Sequence, residues 1–362
     1  MQRTVKIRLE YDSDLAETIK QYSQIKQINC DYGLKKKTYN KNKLHKWLYK
    51  KLRKQFPDMP SGVLQTARDV ASETLKRTKF RNHIHGQEYS SMRLDKRNLR
   101  VNMEHGLISI SSIKGRKKLT FSNDNLILQR YKDWSAIAGQ LCFKNKQLYL
   151  NVILKKENPV KLKNNKLLGI DRGINNILVC SNNQFFNSNL LKAIKGKYQW
   201  LKSKIQAVGT PSARKKLKKI AGRERRFVCD MNHRLSKAVV NSEYNIFALE
   251  DLQKFKQNKG RRFNRKLGNW SFKQFERFLD YKAEELGKTI IKVNPKYTSQ
   301  ICSSCGHKDK LNRKGNNFKC LNCNFELHAD LNASRNIAQL GTSLLSRLSV
   351  NQPIVTPMVV TS

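Results

Sequence analysis

The sequence contains two Cys-x-x-Cys pairs, Cys302/Cys305 and Cys320/Cys323. Structural zinc sites take four ligands in a tetrahedron, and two such pairs supply four thiolates to one ion. Because protein sulfur would then fill every position, the ion is expected to be structural. Disulfides are the alternative, but the N-terminus carries no export signal, which predicts a reducing compartment and favours metal.

Three acidic residues occupy positions where the sequence pattern predicts that a carboxylate is buried or begins a helix. Asp171 and Glu250 each follow an apolar run typical of a buried strand, and Asp330 opens a segment with helical spacing. A buried ionised carboxylate is costly unless a cation or hydrogen bonds compensate it. Three such groups can bind a pair of divalent ions about 4 Å apart, the arrangement used to hydrolyse phosphodiesters. Each acid alone could equally be a turn residue or a cap. Asp251, beside Glu250, is expected to take no part.

The charge balance indicates a polyanionic partner. Lysine and arginine number 73 against 27 acidic residues, a net charge of +46. Such an excess repels itself unless a polyanion neutralises it, and its spread along the chain favours long nucleic-acid grooves. A merely solvated basic surface is the alternative. No stretch reaches the ~18 apolar residues needed to span a bilayer, so no membrane partner is expected.

The pattern of the first half predicts helices inserted into a sheet. Alternating residues near Val5 predict an opening strand, and helical spacing follows between residues 13 and 80. From Tyr89 to Leu154 the period changes to two, which predicts an antiparallel meander. A meander closes most easily into a small barrel, which removes exposed sheet edges. The opening strand could join this barrel.

A second unit begins at Leu167. The pattern predicts three strands, a long helical stretch, a strand before Glu250, a helix ended by Gly287 and a further strand before the cysteines. Acids in the order Asp, Glu, Asp, with the first on strand one, match a ribonuclease-H-like fold. From Gly341 onward the sequence has no lysine and one arginine, and we expect a disordered tail there.

Several motifs in this half resemble those of a known family. The segments LGIDRGINNILV, FALEDL and HADLNASRNIA are similar to the three RuvC motifs, and TSQICSSCG with CLNC is similar to the zinc ribbon inserted before the third. Together they resemble the TnpB family of transposon-encoded RNA-guided nucleases, which are related to type V CRISPR effectors. The first half agrees with that family only in layout.

The resemblance implies an α+β multidomain fold with five parts. These are a wedge β-barrel (1–10 and 88–160), a helical recognition lobe (11–87), a RuvC-like nuclease domain (161–300 and 325–340), a zinc ribbon (301–324) and a disordered tail (341–362).

The resemblance also assigns roles to the residues above. It makes Asp171, Glu250 and Asp330 the catalytic ligands of two Mg²⁺ ions, and it makes the four paired cysteines the ligands of one structural Zn²⁺. The implied partners are a guide RNA derived from the transposon end and double-stranded target DNA, with no small-molecule substrate. For the basic residues a solvated surface is the alternative to nucleic-acid contact. The expected contacts are Arg214, Lys215, Arg225, Arg226, Arg261, Arg262 and Lys266.

The implied function is an RNA-guided, Mg²⁺-dependent DNA endonuclease of an insertion sequence, cutting beside a short flanking motif. A non-cutting RNA-guided DNA-binding regulator is one alternative, against which the three intact acids argue. A DDE-type transposase is another, although those enzymes usually order their acids Asp, Asp, Glu. The expected location is the prokaryotic cytoplasm at the nucleoid, or the nucleus for a eukaryotic relative.

Overall fold

The computed structural model describes residues 1–80, 84, 86–122, 126–162, 166–252 and 272–350. The chain divides into two compact units, Met1–Glu157 and Asn158–Ser362. This division falls close to the boundary predicted after residue 160. Within the described ranges, no helix is long and apolar enough to cross a membrane.

Helices follow the first strand of the first unit, as the sequence predicts. The longest begins at Ser13, because the side chain of Asp12 accepts a hydrogen bond from the Leu15 N–H at 2.9 Å. A shorter helix ends just before Pro57. The described helices of this unit are α1 (Ser13–Lys35), α2 (Lys41–Gln55), α3 (Ser61–Thr78) and α4 (Leu126–Gln129).

Two antiparallel sheets complete the first unit. The bounds are β1 (Gln2–Leu9), β2 (Met92–Leu94), β3 (Leu99–Asn102), β4 (Leu107–Ser112), β5 (Gly115–Thr120), β6 (Ser135–Lys144) and β7 (Gln147–Lys155). One sheet has the order β1-β7-β6-β2 and the other β3-β4-β5. The opening strand therefore does join the later strands, pairing along β7.

The predicted single closed barrel is not what the described strands form. Their hydrogen bonds define two separate sheets. The physical reason lies after β2, where the N–H of Asn98 donates to the carbonyl of Asp95 in a tight turn. This turn ends the ladder of a strand only three residues long, and the chain starts a new sheet at β3.

Helices and sheets of the first unit share one hydrophobic core. Val5 and Ile7 of β1 belong to the same buried cluster as Leu15 and Ile19 of α1. The predicted recognition lobe, 11–87, therefore packs into the core of the predicted barrel and does not form a compact unit of its own.

A five-stranded mixed sheet forms the centre of the second unit. Its order is β10-β9-β8-β11-β12, with β8, β9 and β10 antiparallel and β8, β11 and β12 parallel. The apolar runs before Asp171 and Glu250 form strands, as the sequence predicts. The bounds are β8 (Leu167–Asp171), β9 (Asn176–Cys180), β10 (Phe185–Asn187), β11 (Ile246–Glu250) and β12 (Thr289–Val293).

Helices cover both faces of this sheet. One buried cluster joins Leu168 and Phe247 to helix residues such as Leu235 and Phe275, and a second joins Ala248 to Ile337. These two clusters contain alternate residues of the strands, as the pleat requires. The helices are α5 (Asn189–Val208), α6 (Pro211–Val240), α7 (Phe272–Glu285) and α8 (Ala329–Val350).

The last helix corrects the predicted disordered tail. Helix α8 runs to Val350, so residues 341–350 are helical, and residues 351–362 lie outside the described part. A Cβ at Gly341 would approach the side chains of Ala248 and Ile291 within about 3 Å, because this turn packs closely on the sheet. Packing at Gly341 thus outweighs the change in composition that suggested disorder.

A small sheet carries the cysteine pairs. Its three antiparallel strands are β13 (Arg313–Lys314), β14 (Asn317–Lys319) and β15 (Glu326–His328). Strand β15 pairs with β14 through Leu327 and Phe318. The module therefore extends past residue 324, where its predicted end was placed.

Candidate metal centres

The two Cys-x-x-Cys pairs come together as one cluster. Their four sulfur atoms all lie within 4.8 Å of one another and could hold a metal ion. No cysteine of this cluster forms a disulfide. The Sγ atoms of Cys302 and Cys323 are 3.8 Å apart, and those of Cys305 and Cys320 are 3.6 Å apart. Four thiolates around zinc at ~2.3 Å would be separated by about 3.8 Å, so the cluster fits that ion.

Turns of the backbone position these sulfur atoms. The N–H of Gly306 donates to the carbonyl of Cys302, and the N–H of Asn324 donates to the carbonyl of Cys320. Gly306 and Asn324 both have φ in the left-handed region, at 76° and 57°, which closes each turn. Neither His307 nor His328 belongs to the cluster, in agreement with the filled set of four sulfurs.

Asp171 and Glu250 end adjacent parallel strands. Strands β8 and β11 pair in register up to Ile170 and Leu249, so the two acids follow at the same edge of the sheet. Carboxyl ends of parallel strands are a common place for ligand sites in α/β proteins. The pairing therefore brings together two acids that the sequence separates widely.

Asp330 reaches the same edge from the first turn of α8. It is 7% exposed. Its Oδ1 accepts a hydrogen bond from Nη2 of Arg313 at 2.9 Å, and its Oδ2 accepts one from Nδ2 of Asn176 at 3.2 Å. Helix α8 approaches the sheet closely because Gly169 has no side chain; a Cβ there would lie 2.1 Å from the carbonyl oxygen of Ser334. Gly169 thus sets how near Asp330 comes to the strands.

The three carboxylates influence one another. Burial, followed by the charges of Glu250 and Asp330, raises the pKa of Asp171 to about 8, against the smaller opposing effect of Arg313. Burial also raises the pKa of Glu250, although the Thr298 hydroxyl donates a 2.6 Å hydrogen bond to its Oε1. Like charges in a dry setting favour a bound cation. A bound cation would relieve this unfavourable burial of like charges.

Arg172, next to Asp171, links several elements at the edge of the sheet where the acids lie. Its buried guanidinium donates to the backbone carbonyl of Glu250 and to Oε2 of Glu276, the latter at 3.0 Å. Glu276 also forms an ion pair with Lys292 of β12. Three strands and helix α7 are thereby linked beside the acids.

The carboxylate oxygens of the three acids are more widely spaced than the sulfur atoms of the four cysteines. Across the described ranges, the cysteine cluster is the one group of three or more Cys, His, Asp or Glu residues whose ligand atoms all lie within 4.8 Å. Protein groups hold the carboxylates instead, with Arg313 on Asp330 and Thr298 on Glu250. The site is polar, largely buried and supported by several elements.

The predicted nucleic-acid contacts are only partly placed. Arg214, Lys215, Arg225 and Arg226 are exposed on α6. Arg261, Arg262 and Lys266 lie outside the described residues. The structure places the first four on one long helix, and whether they contact nucleic acid stays a prediction.

Three residues of the acid site escape prediction from the sequence. Arg313, Thr298 and Arg172 contact the acids or their backbone, yet none of them stands in a motif with metal-ligand spacing. Arg172 does follow Asp171 directly, which is a weak signal. Arg313 is one of several cations in the cysteine module, and only the fold selects it.

Two family models match the chain, and both matches lie almost entirely in its second unit. The family model described as "Probable transposase" matches residues 151–259, and the model described as "Cas12f1-like, TNB domain" matches residues 272–337. The first match contains Asp171 and Glu250. The second contains Asp330 and all four paired cysteines.

Individual relatives match over shorter stretches. A CRISPR-associated endodeoxyribonuclease Cas12f1 of Sulfoacidibacillus thermotolerans is 43% identical over 30% of this chain and 26% of its own length. A TnpB-like protein of Methanocaldococcus jannaschii is 35% identical over 33% of this chain and 45% of its own length. A second TnpB-like protein of that organism is 24% identical over 82% of this chain and 71% of its own. The chain thus spans less than half the length of the first two relatives.

Solved structures resemble the chain over nearly its whole length. The cryo-EM structure of a Cas12f1–sgRNA–target DNA complex has a TM-score of 0.60 and 15% identity, covering 93% of this chain and 98% of that chain. A CasPhi-2 structure bound to crRNA has a TM-score of 0.51 and 12% identity, covering 94% and 98%. These likenesses show a shared mixed α+β fold with several sheets.

Proposed function

From the membership of this chain in the TnpB family, which is related to the type V effectors, we propose that it is an RNA-guided DNA endonuclease of an insertion sequence. It cuts target DNA beside a short flanking motif by metal-dependent hydrolysis of a phosphodiester bond. The relatives named endodeoxyribonuclease or putative RNA-guided DNA endonuclease support this activity.

One observation carries the proposal: Asp171, Glu250 and Asp330 converge at one edge of the sheet. Two acids end adjacent parallel strands, and the third begins the helix packed against them. The strand order, with three antiparallel strands followed by two parallel ones, supports a ribonuclease-H-like nuclease domain. Asp171 is held among like charges, which favours cation binding.

The side chains of this edge have distinct roles in the proposed site. Asp171, Glu250 and Asp330 hold the divalent ions, for which Mg²⁺ is the proposed identity. When bound, such ions lower the pKa of a water nucleophile and stabilise the leaving oxygen. Thr298 orients the Glu250 carboxylate through its 2.6 Å hydrogen bond. Arg313 is placed beside Asp330, where a cation offsets part of the charge of the three acids.

The cysteine cluster holds one structural zinc ion in this proposal. It anchors strand β13, which carries Arg313, and it precedes helix α8, which carries Asp330. The N–H of Ser303 donates to Oδ1 of Asn332 on α8 at 2.9 Å, and this joins the module to the helix. Loss of the metal therefore disturbs the acid site indirectly.

Nucleic-acid partners follow from the charge and from the relatives. The net charge of +46 repels itself, and a bound polyanion would neutralise it. The basic side of α6, including Arg214 and Arg226, faces solvent and is free to follow a phosphate backbone. A guide RNA and double-stranded target DNA are the proposed partners. In this mode, sequence is read by base pairing while the protein contacts the backbone.

Co-expression with the native flanking DNA tests the proposal. The RNA that copurifies is sequenced, and DNA complementary to its variable end is offered to the complex with Mg²⁺. A discrete RNA that runs into flanking sequence, together with Mg²⁺-dependent cutting, supports the guided nuclease. A smear of host RNA that high salt removes, with no targeted cutting, contradicts it.

The description "Probable transposase" favours a second candidate function. A DDE-type transposase uses the same fold class and metal ions but joins a transposon end to target DNA. Here Glu250 lies between the two aspartates in the chain order, unlike the usual order of those enzymes. Strand-transfer products from labelled transposon ends would favour the transposase, whereas cut target without joining favours the nuclease.

A further inference from the structure

Tyr297 adopts a backbone conformation that tyrosine rarely takes. It lies in the connection between β12 and the cysteine module, with φ at 66° in the left-handed region. Hydrogen bonds close the turn that follows, because the Tyr297 carbonyl accepts one from the N–H of Gln300 at 2.8 Å and one from the N–H of Ile301 at 3.1 Å. Glycine makes such a turn without steric cost, whereas a residue with a Cβ strains it. The turn alone therefore does not explain a tyrosine.

Core packing does not explain the tyrosine either. Tyr297 is 47% exposed and belongs to none of the buried clusters of the second unit. Its ring is instead held by one cation, since Nζ of Lys308 lies 3.4 Å from the ring centroid. A cation over an aromatic face attracts the ring, and the 47% exposure of Tyr297 leaves the rest of the residue accessible to solvent.

The location of this ring connects it to the acid cluster. The next residue, Thr298, is 3% exposed and donates the hydrogen bond to Glu250. Successive Cα atoms are about 3.8 Å apart, so the Tyr297 backbone lies close to the residue that contacts Glu250. Lys296 and Lys308 are both exposed and add positive charge on either side of the ring in sequence.

We propose that Tyr297 and Lys308 form a nucleotide subsite beside the acid cluster. A base of single-stranded DNA stacks on the exposed part of the Tyr297 ring, and the Lys308 ammonium offers a contact for the adjoining phosphate. Exposed aromatics with neighbouring cations are the usual platform for single strands, because every base has a face that stacks. This inference rests on the proposed nuclease function, as it describes how that site holds its substrate strand.

Photocrosslinking detects contact between a DNA base and Tyr297 without requiring that the protein cut DNA. The full chain with its copurified RNA, in an Asp171→Ala background, is mixed with single-stranded oligodeoxynucleotides that contain 5-iodouracil. Moderate salt suppresses contacts that are purely electrostatic. After irradiation we expect a crosslink on the peptide that contains Tyr297. The crosslink is lost in Tyr297→Gly and kept in Tyr39→Ala, a control at a tyrosine with the same 47% exposure.

Cleavage kinetics of a glycine variant, which removes the strain of the left-handed turn, separate a binding role of the Tyr297 ring from a structural one. Tyr297→Gly removes the ring while suiting the left-handed turn, so its melting temperature should equal or exceed that of the wild type. Its cleavage is expected to fall roughly tenfold in kcat/KM, the range found for removal of one stacked base. Tyr297→Phe keeps the ring face and should retain both crosslink and cleavage.

The outcomes separate this inference from the proposed function. Crosslinks confined to other peptides, or Tyr297→Gly that crosslinks and cuts as the wild type does, overturn the subsite. A wild-type chain that cuts no DNA but crosslinks at Tyr297 contradicts the nuclease and leaves the nucleotide subsite supported. A Tyr297→Gly protein that melts well below the wild type assigns the ring a structural role and also overturns the inference.

Discussion

In the cysteine cluster all ligands come from two turns of one small module, and their sulfurs lie at the spacing that zinc requires. In the acid cluster the carboxylates come from two strands and from a helix far along the chain, and Arg313 and Thr298 donate hydrogen bonds to two of them. Residues close in sequence are enough to form the cysteine cluster, whereas the acid cluster forms only when the whole sheet is folded. This is the difference expected if the cysteines hold a structural ion and the acids hold the proposed catalytic ions, since a structural site fills every position and a catalytic site keeps some open.

Removing one thiolate should have the largest effect. Cys320→Ser leaves three sulfurs, and structural zinc sites contribute about 10 kcal/mol or more of binding free energy to their modules. We expect loss of zinc and local unfolding of the module, measured by elemental analysis and by thermal melting with and without a chelator. Cys229→Ser, at a half-buried cysteine outside the cluster, should keep its zinc. Equal melting temperatures with and without chelator would argue against a structural zinc.

Removing one carboxylate should abolish cutting without loss of zinc. Asp171→Ala is expected to slow DNA cleavage by about 10³-fold or more, because bound metal ions supply several kcal/mol of charge stabilisation in the transition state. RNA binding and zinc content should stay at wild-type levels. Asp251→Ala, at the adjacent acid after Glu250, is the matched control and should cut normally. Loss of RNA binding in Asp171→Ala would undermine the role given to this acid.

Filling the contact between helix and sheet should affect the two centres unequally. In Gly169→Ala the new Cβ would lie 2.1 Å from the Ser334 carbonyl oxygen, so α8 must move. We expect a loss of about 1–3 kcal/mol in unfolding free energy and slower cleavage, because Asp330 shifts with α8.

The zinc content of Gly169→Ala should not change, since no cysteine ligand lies on α8. Gly196→Ala on α5 meets no atom within 4 Å and should stabilise the helix slightly. Equal effects of the two alanines would contradict the account of Gly169.

The smallest effect concerns pH in protein without added Mg²⁺. Because the pKa of Asp171 is raised to about 8, the folded chain holds a proton that the unfolded chain releases above its ordinary value of 3.8. The unfolding free energy of the second unit should therefore fall as pH rises from about 4 to about 8. Asp171→Asn should flatten this dependence, leaving the part that comes from the raised pKa of Glu250, and stabilise the unit by about 1–2 kcal/mol at pH 8. Chemical denaturation across that pH range measures it, and a parallel pH dependence in both proteins would refute it.

The sequence predicts the cysteine cluster better than the surroundings of the acids. The two Cys-x-x-Cys turns need only local geometry. The apolar runs that end in Asp171 and Glu250 predict two strands, and the register of these strands then brings the two acids to the same edge of the sheet. Arg313 and Thr298 could not be predicted, because their acid partners become neighbours only in the folded sheet. Pattern alone also could not show that the turn at Asp95 divides the first unit into two sheets.

Composition misled the prediction at the end of the chain. Few charges after Gly341 suggested a disordered tail, yet Gly341 and Leu345 pack α8 against the sheet. Helical spacing from Ile337 through Gly341 to Leu345 is the signal that was present. Small and hydroxyl residues suit a helix that must approach a sheet closely, so their presence did not exclude one.

Metal stoichiometry tests the contrast between the two centres most directly. The full chain, freed of RNA and dialysed without chelator, is assayed for zinc and then titrated with Mn²⁺ while paramagnetic resonance follows the bound ion. We expect one tightly held zinc per chain, and Mn²⁺ binding that Asp171→Ala abolishes and Asp251→Ala retains. A chain without zinc, or Mn²⁺ binding that is unaffected by Asp171→Ala, would contradict it.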